Sequence, residues 1–330
     1  MRGRLFELWG TVLPSYFVLL VVGFMFATLA GALWARRVGH DPDVIVDLGL
    51  SMLIFGVLGG RLLHVFADGH FLDYVHLCTD PGLVEWKISK LECLSQSDPG
   101  ALGGFLGEHP EPLGRWDQGA GVCRPLASDC FAWARFWAGG LTYYGGFLGA
   151  SLAAWFLLRR DRFPFWKAAD MAGMVVPLGL AFGRMGCLLG GCCFGRPWNS
   201  PLALSFPPGS AASAAQAQAG LLPSAFSASL PVHPTQLYEA FGSLGLAFAL
   251  LLWVHPHKRY DGQVFVGFVT GYAALRFVLE FFRADERGGW GWFSTSQWVG
   301  VGLFLAGLFV HAGFVRRAAS LPAVARPDLS

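Results

Sequence analysis

The stretch Gly183-Arg-Met-Gly-Cys-Leu-Leu-Gly-Gly-Cys-Cys-Phe-Gly-Arg196 closes a long apolar run and places Arg184 inside it. An arginine at membrane depth costs about 2.5–3.5 kcal/mol on insertion scales, so it is usually kept for a ligand or a partner charge. The glycines let a second backbone, or a bulky head group, approach closely. The segment therefore predicts an anion site at one face of a membrane.

Composition supports a membrane setting. The chain has 330 residues, of which 54% are hydrophobic and 14% charged. Soluble domains carry about 25% charged residues. The mean hydropathy of +0.47 agrees, while the net charge of +2 says little. Seven apolar segments are long enough to span, at about 20 residues each. They are residues 13–34, 44–66, 141–158, 169–190, 235–254, 264–282 and 296–314. The first resembles a signal peptide around Thr28–Ala32, but it exceeds an ordinary apolar core and its basic residues follow it. It reads as a retained helix. The fold class is thus an all-α integral membrane protein of seven transmembrane helices, treated as one domain.

The basic residues orient the bundle. Arg36-Arg37, Arg159-Arg160 with Arg162 and Lys167, His257-Lys258-Arg259, and Arg316-Arg317 fall on one side if the N-terminus is outside. Arg2 and Arg4 dissent slightly. Two long segments then lie outside. One, about 67–138, forms an external head and carries Cys78, Cys93, Cys123 and Cys130. Four cysteines outside suggest two disulfides, with three possible pairings, although free structural cysteines are the alternative. The other, about 197–232, includes the Ala/Ser-rich run Gly209–Gly220. It reads as a mobile arm or a short helix.

Chemistry-bearing residues gather at the outer ends of these spans. Arg184 and Arg276 lie on different helices at one depth and can clamp a phosphate through bidentate hydrogen bonds. Glu280 lies one turn after Arg276 and can neutralise it. Arg184 has no carboxylate in its local sequence, and Asp170 is predicted near the opposite face. Arg61 either meets ligand or ties the bundle to backbone carbonyls. Tyr16 and Tyr144 suit an interfacial belt. Tyr144 precedes Gly145-Gly146, which would open space beside its hydroxyl. His233-Pro234 marks a helix start, and the histidine either meets ligand or packs. Gln236, Tyr238 and Glu239 read as supporting residues.

Cys187, Cys192 and Cys193 admit three readings. Zinc ligation lacks paired C-x-x-C spacing and an evident fourth ligand. A redox role suits an oxidising face. Small buried residues at a tight helix end are ordinary. No nucleotide loop, Ser-His-Asp arrangement or nucleic-acid patch is visible in the sequence.

Taken together, the segments Gly183-Arg184-Met-Gly186 with Gly190 and Gly195-Arg196, His233–Glu239, Gly271–Arg283, Gly59-Gly60-Arg61 and Gly145-Gly146 resemble the prolipoprotein diacylglyceryl transferase family. The resemblance implies a seven-helix bundle in the bacterial inner membrane, with its N-terminus outside, an external head and mobile arms. It implies transfer of the diacylglyceryl group of phosphatidylglycerol to the lipobox cysteine of a preprolipoprotein. A thioether forms and glycerol-1-phosphate leaves, with no cofactor, metal or nucleic acid involved. On this reading Arg184, Arg276 and Tyr144 are catalytic. Substrate contacts fall to Tyr16, Arg61, Gly145, Gly146, Gly186, Gly195, His233 and Glu280. Three positions depart from the family pattern: Tyr144 stands where histidine is common, Cys187 where asparagine is common, and Cys192 at an acidic position. Tyrosine is a poor base at neutral pH, with a reference pKa of about 10. Two rival readings are a non-catalytic phospholipid or lipoprotein binder on the same scaffold and a membrane thiol oxidoreductase.

Overall fold

The computed structural model describes residues 4–8, 11–67, 70–86, 93, 114–134, 141–284 and 288–320. Arg2, the side chains of Arg4 and Tyr16, and residues 68–69, 87–92, 94–113 and 135–138 of the expected head lie outside the described residues. Among those described, the protein is mostly helical. Its α-helices are α1 (Ser15–Arg37), α2 (Pro42–Ala67), α3 (Phe71–Thr79), α4 (Tyr143–Arg160), α5 (Phe165–Gly190), α6 (Ala211–Gln218), α7 (Thr235–Ala249), α8 (Gln263–Glu280) and α9 (Thr295–Ser320). Three two-stranded antiparallel or paired ribbons complete it: β1 (Arg4–Leu8) with β2 (Thr11–Pro14), β3 (Gly114–Asp117) with β4 (Val122–Pro125), and β5 (Gly289–Trp290) with β6 (Phe293–Ser294).

Six helical segments are long and apolar enough to cross a membrane: Val18–Arg37, Pro42–Ala67, Phe165–Gly190, Thr235–His257, Gln263–Glu280 and Thr295–Arg317. Helix α4 is the one expected span that is not among them. It has only 18 residues, and these include two tyrosines, three glycines and the terminal Arg159-Arg160. Large apolar side chains such as Met25, Ile54, Phe156, Phe241, Trp253 and Phe309 are exposed. Outward apolar faces on long helices are what a lipid solvent favours, because the backbone is satisfied within each helix.

The chain divides into two compact units. In the first (residues 1–5, 14–46 and 162–330), α5 packs against α1, α7 and α8, and α9 packs on α8. Close approach is made possible by glycine. A Cβ at Gly173 would come within 2.9 Å of the Phe265 backbone at the start of α8. Local sequence sets the helix ends. Gly191, with φ of 71°, stops α5: its N–H donates to the Leu188 carbonyl and the Cys192 N–H to the Cys187 carbonyl. This is the Schellman pattern. Helix α9 opens with a capping box, in which the Gln297 N–H donates to Ser294 Oγ and the Ser294 N–H to Gln297 Oε1.

The second unit (residues 6–13 and 47–161) holds most of α2, α3, the β3–β4 ribbon and α4. Here α2 and α4 meet through small residues. A Cβ at Gly59 would lie 2.5 Å from the Gly145 carbonyl oxygen, and Gly146 faces the Gly56 carbonyl at 3.4 Å. These glycines serve helix contact, as small residues do in membrane bundles. The expected space beside Tyr144 is therefore filled at Gly145 by the α2 backbone. Cys78 is bonded to Cys130 and Cys93 to Cys123, one of the three pairings left open by the sequence.

The segment 197–232, expected as a mobile arm or a short helix, contains α6. Ser210 Oγ accepts from the Ser213 N–H, and Ala212, Ser213 and Gln216 are buried. Gln216 Oε1 accepts from the Leu230 N–H at 2.8 Å, which ties the segment back on itself.

Candidate functional site

The end of α5, the loop after it, the first turns of α7 and the last turns of α8 converge in the first unit. Glu239 on α7 is at their centre. Its side chain is only 2% exposed and stands 3.0 Å from Arg184 Nη2 and 3.9 Å from Arg283 Nη1. Tyr272 on α8 donates its hydroxyl proton to Glu239 Oε1 at 2.7 Å. One turn along α8, Arg276 pairs with Glu280 at 2.9 Å, as the i,i+4 spacing predicts. The local sequence of Arg184 lacks a carboxylate, but the fold supplies one from α7. Glu239 is thus a positioning residue that the sequence reading placed only in support. Its signal was present: an acid in the second turn of a helix that starts at the same end as Arg184.

Among the described residues, the cluster brings together the guanidinium groups of Arg184, Arg276 and Arg283 and the carboxylates of Glu239 and Glu280. Arg184 is 20% exposed at this end of the helix bundle. A buried carboxylate that orients two arginines reduces the freedom each would lose on gripping an anion. The arrangement can therefore bind a phosphate-like group and stabilise negative charge growing on it.

The loop between α5 and α7 is fastened to this cluster. The Arg196 N–H donates to the Phe282 carbonyl and its Nε to the Arg283 carbonyl. Gly195 bridges Arg283. A Cβ there would come within 2.5 Å of His233 Cβ and 2.6 Å of the His233 carbonyl oxygen. Gly195 thus lets these backbones approach, and Gly186 is buried within α5. His233 stacks on Trp198 with centroids 4.2 Å apart and lies against Phe282 and Tyr238. Burial pushes its imidazole below the usual pKa, so the neutral ring is favoured.

Cys187, Cys192 and Cys193 are drawn together by the cap of α5. Their sulfur atoms lie within 4.8 Å of one another. The loop is held by α7: the Thr235 hydroxyl donates to the Cys193 carbonyl and the Gln236 amide to the Cys192 carbonyl, both at 2.7 Å. Cys193 has φ of 60°, a conformation unusual for a side chain other than glycine.

Of the other expected site residues, Arg61 and Tyr144 belong to the second unit. Arg61 is 7% exposed and donates to the carbonyls of Trp133 and Ala132, both at 2.6 Å, with its guanidinium over the Tyr74 ring. These contacts tie α2 to the turn at Ala132–Ala134. Tyr144 is 73% exposed on the first turn of α4 and meets Tyr143 edge to face.

A sequence profile of the family described as Prolipoprotein diacylglyceryl transferase matches residues 126–312, more than half of the chain. The chain belongs to this family. Among similar proteins, the phosphatidylglycerol–prolipoprotein diacylglyceryl transferase of Clostridium tetani is 25% identical over 311 residues, covering 94% of this chain and 96% of that protein. The protein of that name from Bordetella avium is 35% identical over 196 residues, covering 57% and 66%. The enzyme named transferase 2 in Clostridium perfringens is 24% identical over 314 residues, 94% of each chain. The diacylglyceryl transferase profile contains Tyr144, Arg184, His233, Glu239, Arg276 and Arg283. It begins after Tyr16, Arg61 and most of the expected head.

Proposed function

We propose that the chain transfers the diacylglyceryl group of phosphatidylglycerol to the lipobox cysteine of a preprolipoprotein. Membership of the prolipoprotein diacylglyceryl transferase family carries this reading, and the arginine cluster gives it a mechanism. Arg184 and Arg276 bind the phosphate of the lipid. Glu239 and Glu280 hold them in place. The acceptor thiol loses its proton to water, and its sulfur attacks the glyceryl carbon next to the phosphate. A C–S bond forms as the C–O bond breaks, and glycerol-1-phosphate leaves with the electron pair. The guanidinium groups stabilise charge that grows on that leaving phosphate.

The reading includes a multi-pass setting in a bacterial inner membrane, with the N-terminus outside and α4 as a seventh span. The run of basic residues after α1, α4, α7 and α9 supports that orientation, and the disulfides support an oxidising compartment for the head. Tyr16 and Tyr144 take positions beside lipid. The exposure of Tyr144 favours hydrogen bonding over service as a base.

The test is transfer from phosphatidylglycerol to a lipobox peptide in liposomes. Thioether product that depends on Arg184 is the expected result. Absence of product from folded protein would sink the assignment and favour a binder that does not turn over.

A further inference from the structure

We propose that Cys187, Cys192 and Cys193 form a binding site for a thiophilic d10 metal ion of the zinc class. Three observations carry it. First, the three sulfurs converge within 4.8 Å. Ligands of one tetrahedral zinc, each at about 2.3 Å, stand about 3.8 Å apart, so about 1 Å of closure is enough. Second, the scaffold is fixed independently of the thiols. The Schellman turn sets Cys192 over Cys187, and Thr235 and Gln236 anchor the carbonyls of Cys193 and Cys192. Preset ligands lower the ordering cost of binding. Third, a positive group that also pairs with Glu239 stands beside the thiols. Three thiolates around a dication leave one negative charge, and Arg184 Nη1 stands 4.0 Å from Cys187 Sγ.

The other four cysteines are joined in disulfides, whereas these three are free. A disulfide among three thiols would use two and leave one over. A metal ion uses all three. Cys187 is buried, but Cys192 and Cys193 are partly accessible, which gives the ion an entry side. Three protein ligands leave a fourth position for water or an exogenous thiolate, the pattern of reactive zinc sites. The binding proposal does not depend on the proposed transfer reaction.

The experiment uses the full chain purified in detergent, reduced under anaerobic conditions and dialysed against Zn2+ or Co2+. Metal content and Co2+ absorption are read, with no lipid present. About one ion per chain is expected, with sulfur-to-cobalt charge-transfer bands. The triple variant Cys187→Ser, Cys192→Ser, Cys193→Ser should lose both, whereas Cys78→Ser with Cys130→Ser should keep them. Folding of each variant is checked by thermal melting. Wild-type protein that binds no Co2+ while all three thiols titrate as free would overturn the proposal. So would a wild-type disulfide among the three that persists under these reducing conditions. Failure of lipid transfer leaves the metal result standing, and the reverse also holds.

Discussion

The two ends of the bundle built from α5, α7 and α8 carry polar clusters of different character. At one end Asp170, fully buried, accepts from the N–H groups of Val264 and Phe265 at the start of α8, at 2.8 and 3.2 Å. Lys258 stands 3.5 Å from Asp170 and 2.9 Å from Asp261. Fourteen residues along α5, about 21 Å at the ordinary helical rise, Arg184 opens the second cluster. The first cluster is closed: a helix N-terminus and a lysine satisfy its carboxylates. The second is arginine-rich and part-exposed. A buried, closed network locks helices together, whereas an arginine-rich, part-exposed one is open to an anion.

Replacing Arg184 breaks the comparison most sharply. Arg184→Ala should lower transfer about 10²–10³-fold, the loss typical of one removed donor to developing negative charge. Wild-type-like transfer in this variant would remove the phosphate clamp. Arg276→Ala should behave similarly, read by the same liposome assay. Next, Glu239→Gln leaves the geometry but removes the charge shared by Arg184, Arg283 and Tyr272. Breaking a buried pair costs about 3 kcal/mol. Lower melting temperature in detergent and a raised apparent KM for phosphatidylglycerol are both expected. A drop in stability alone would make Glu239 purely structural.

Asp170→Asn tests the closed end. It should lose about 2 kcal/mol of stability, since hydrogen bonds to a charged group contribute about 1.5–3 kcal/mol. Transfer per folded molecule should stay unchanged. A specific loss of turnover at constant stability would show that the two ends are coupled.

Much of this contrast was visible before the fold. Arg184 stood out because charge within an apolar run is a local signal, and Arg276 with Glu280 followed from helical spacing. Six of the seven expected spans reappear as long apolar helices. Glu239 was not legible as the partner of Arg184, because pairing between α5 and α7 depends on which helices meet. The same applies to Gly145 and Gly195. A sequence shows that a glycine is present, but whether a ligand or a backbone fills its missing Cβ is decided by distant residues. The cysteine cluster was hidden for a related reason. Its spacing looks unlike a metal motif until the left-handed turn at Gly191 folds Cys192 and Cys193 back over Cys187.

Tyr272→Phe gives the smallest and most selective probe. The change removes one hydroxyl that donates to Glu239 Oε1 at 2.7 Å, while Arg184 still contacts the same oxygen at 3.0 Å. The ring and its stacking on Phe268 remain, so packing changes little. One hydrogen bond to a charged group is worth about 1.5–3 kcal/mol, but the lower end applies here because the arginines keep the carboxylate satisfied. Transfer should therefore fall only about tenfold, with most of the change in KM, because Glu239 keeps its charge but gains freedom to turn. A loss as large as that of Arg184→Ala would mean that the phenol itself touches the reacting phosphate, and the outer cluster would then need a fourth donor.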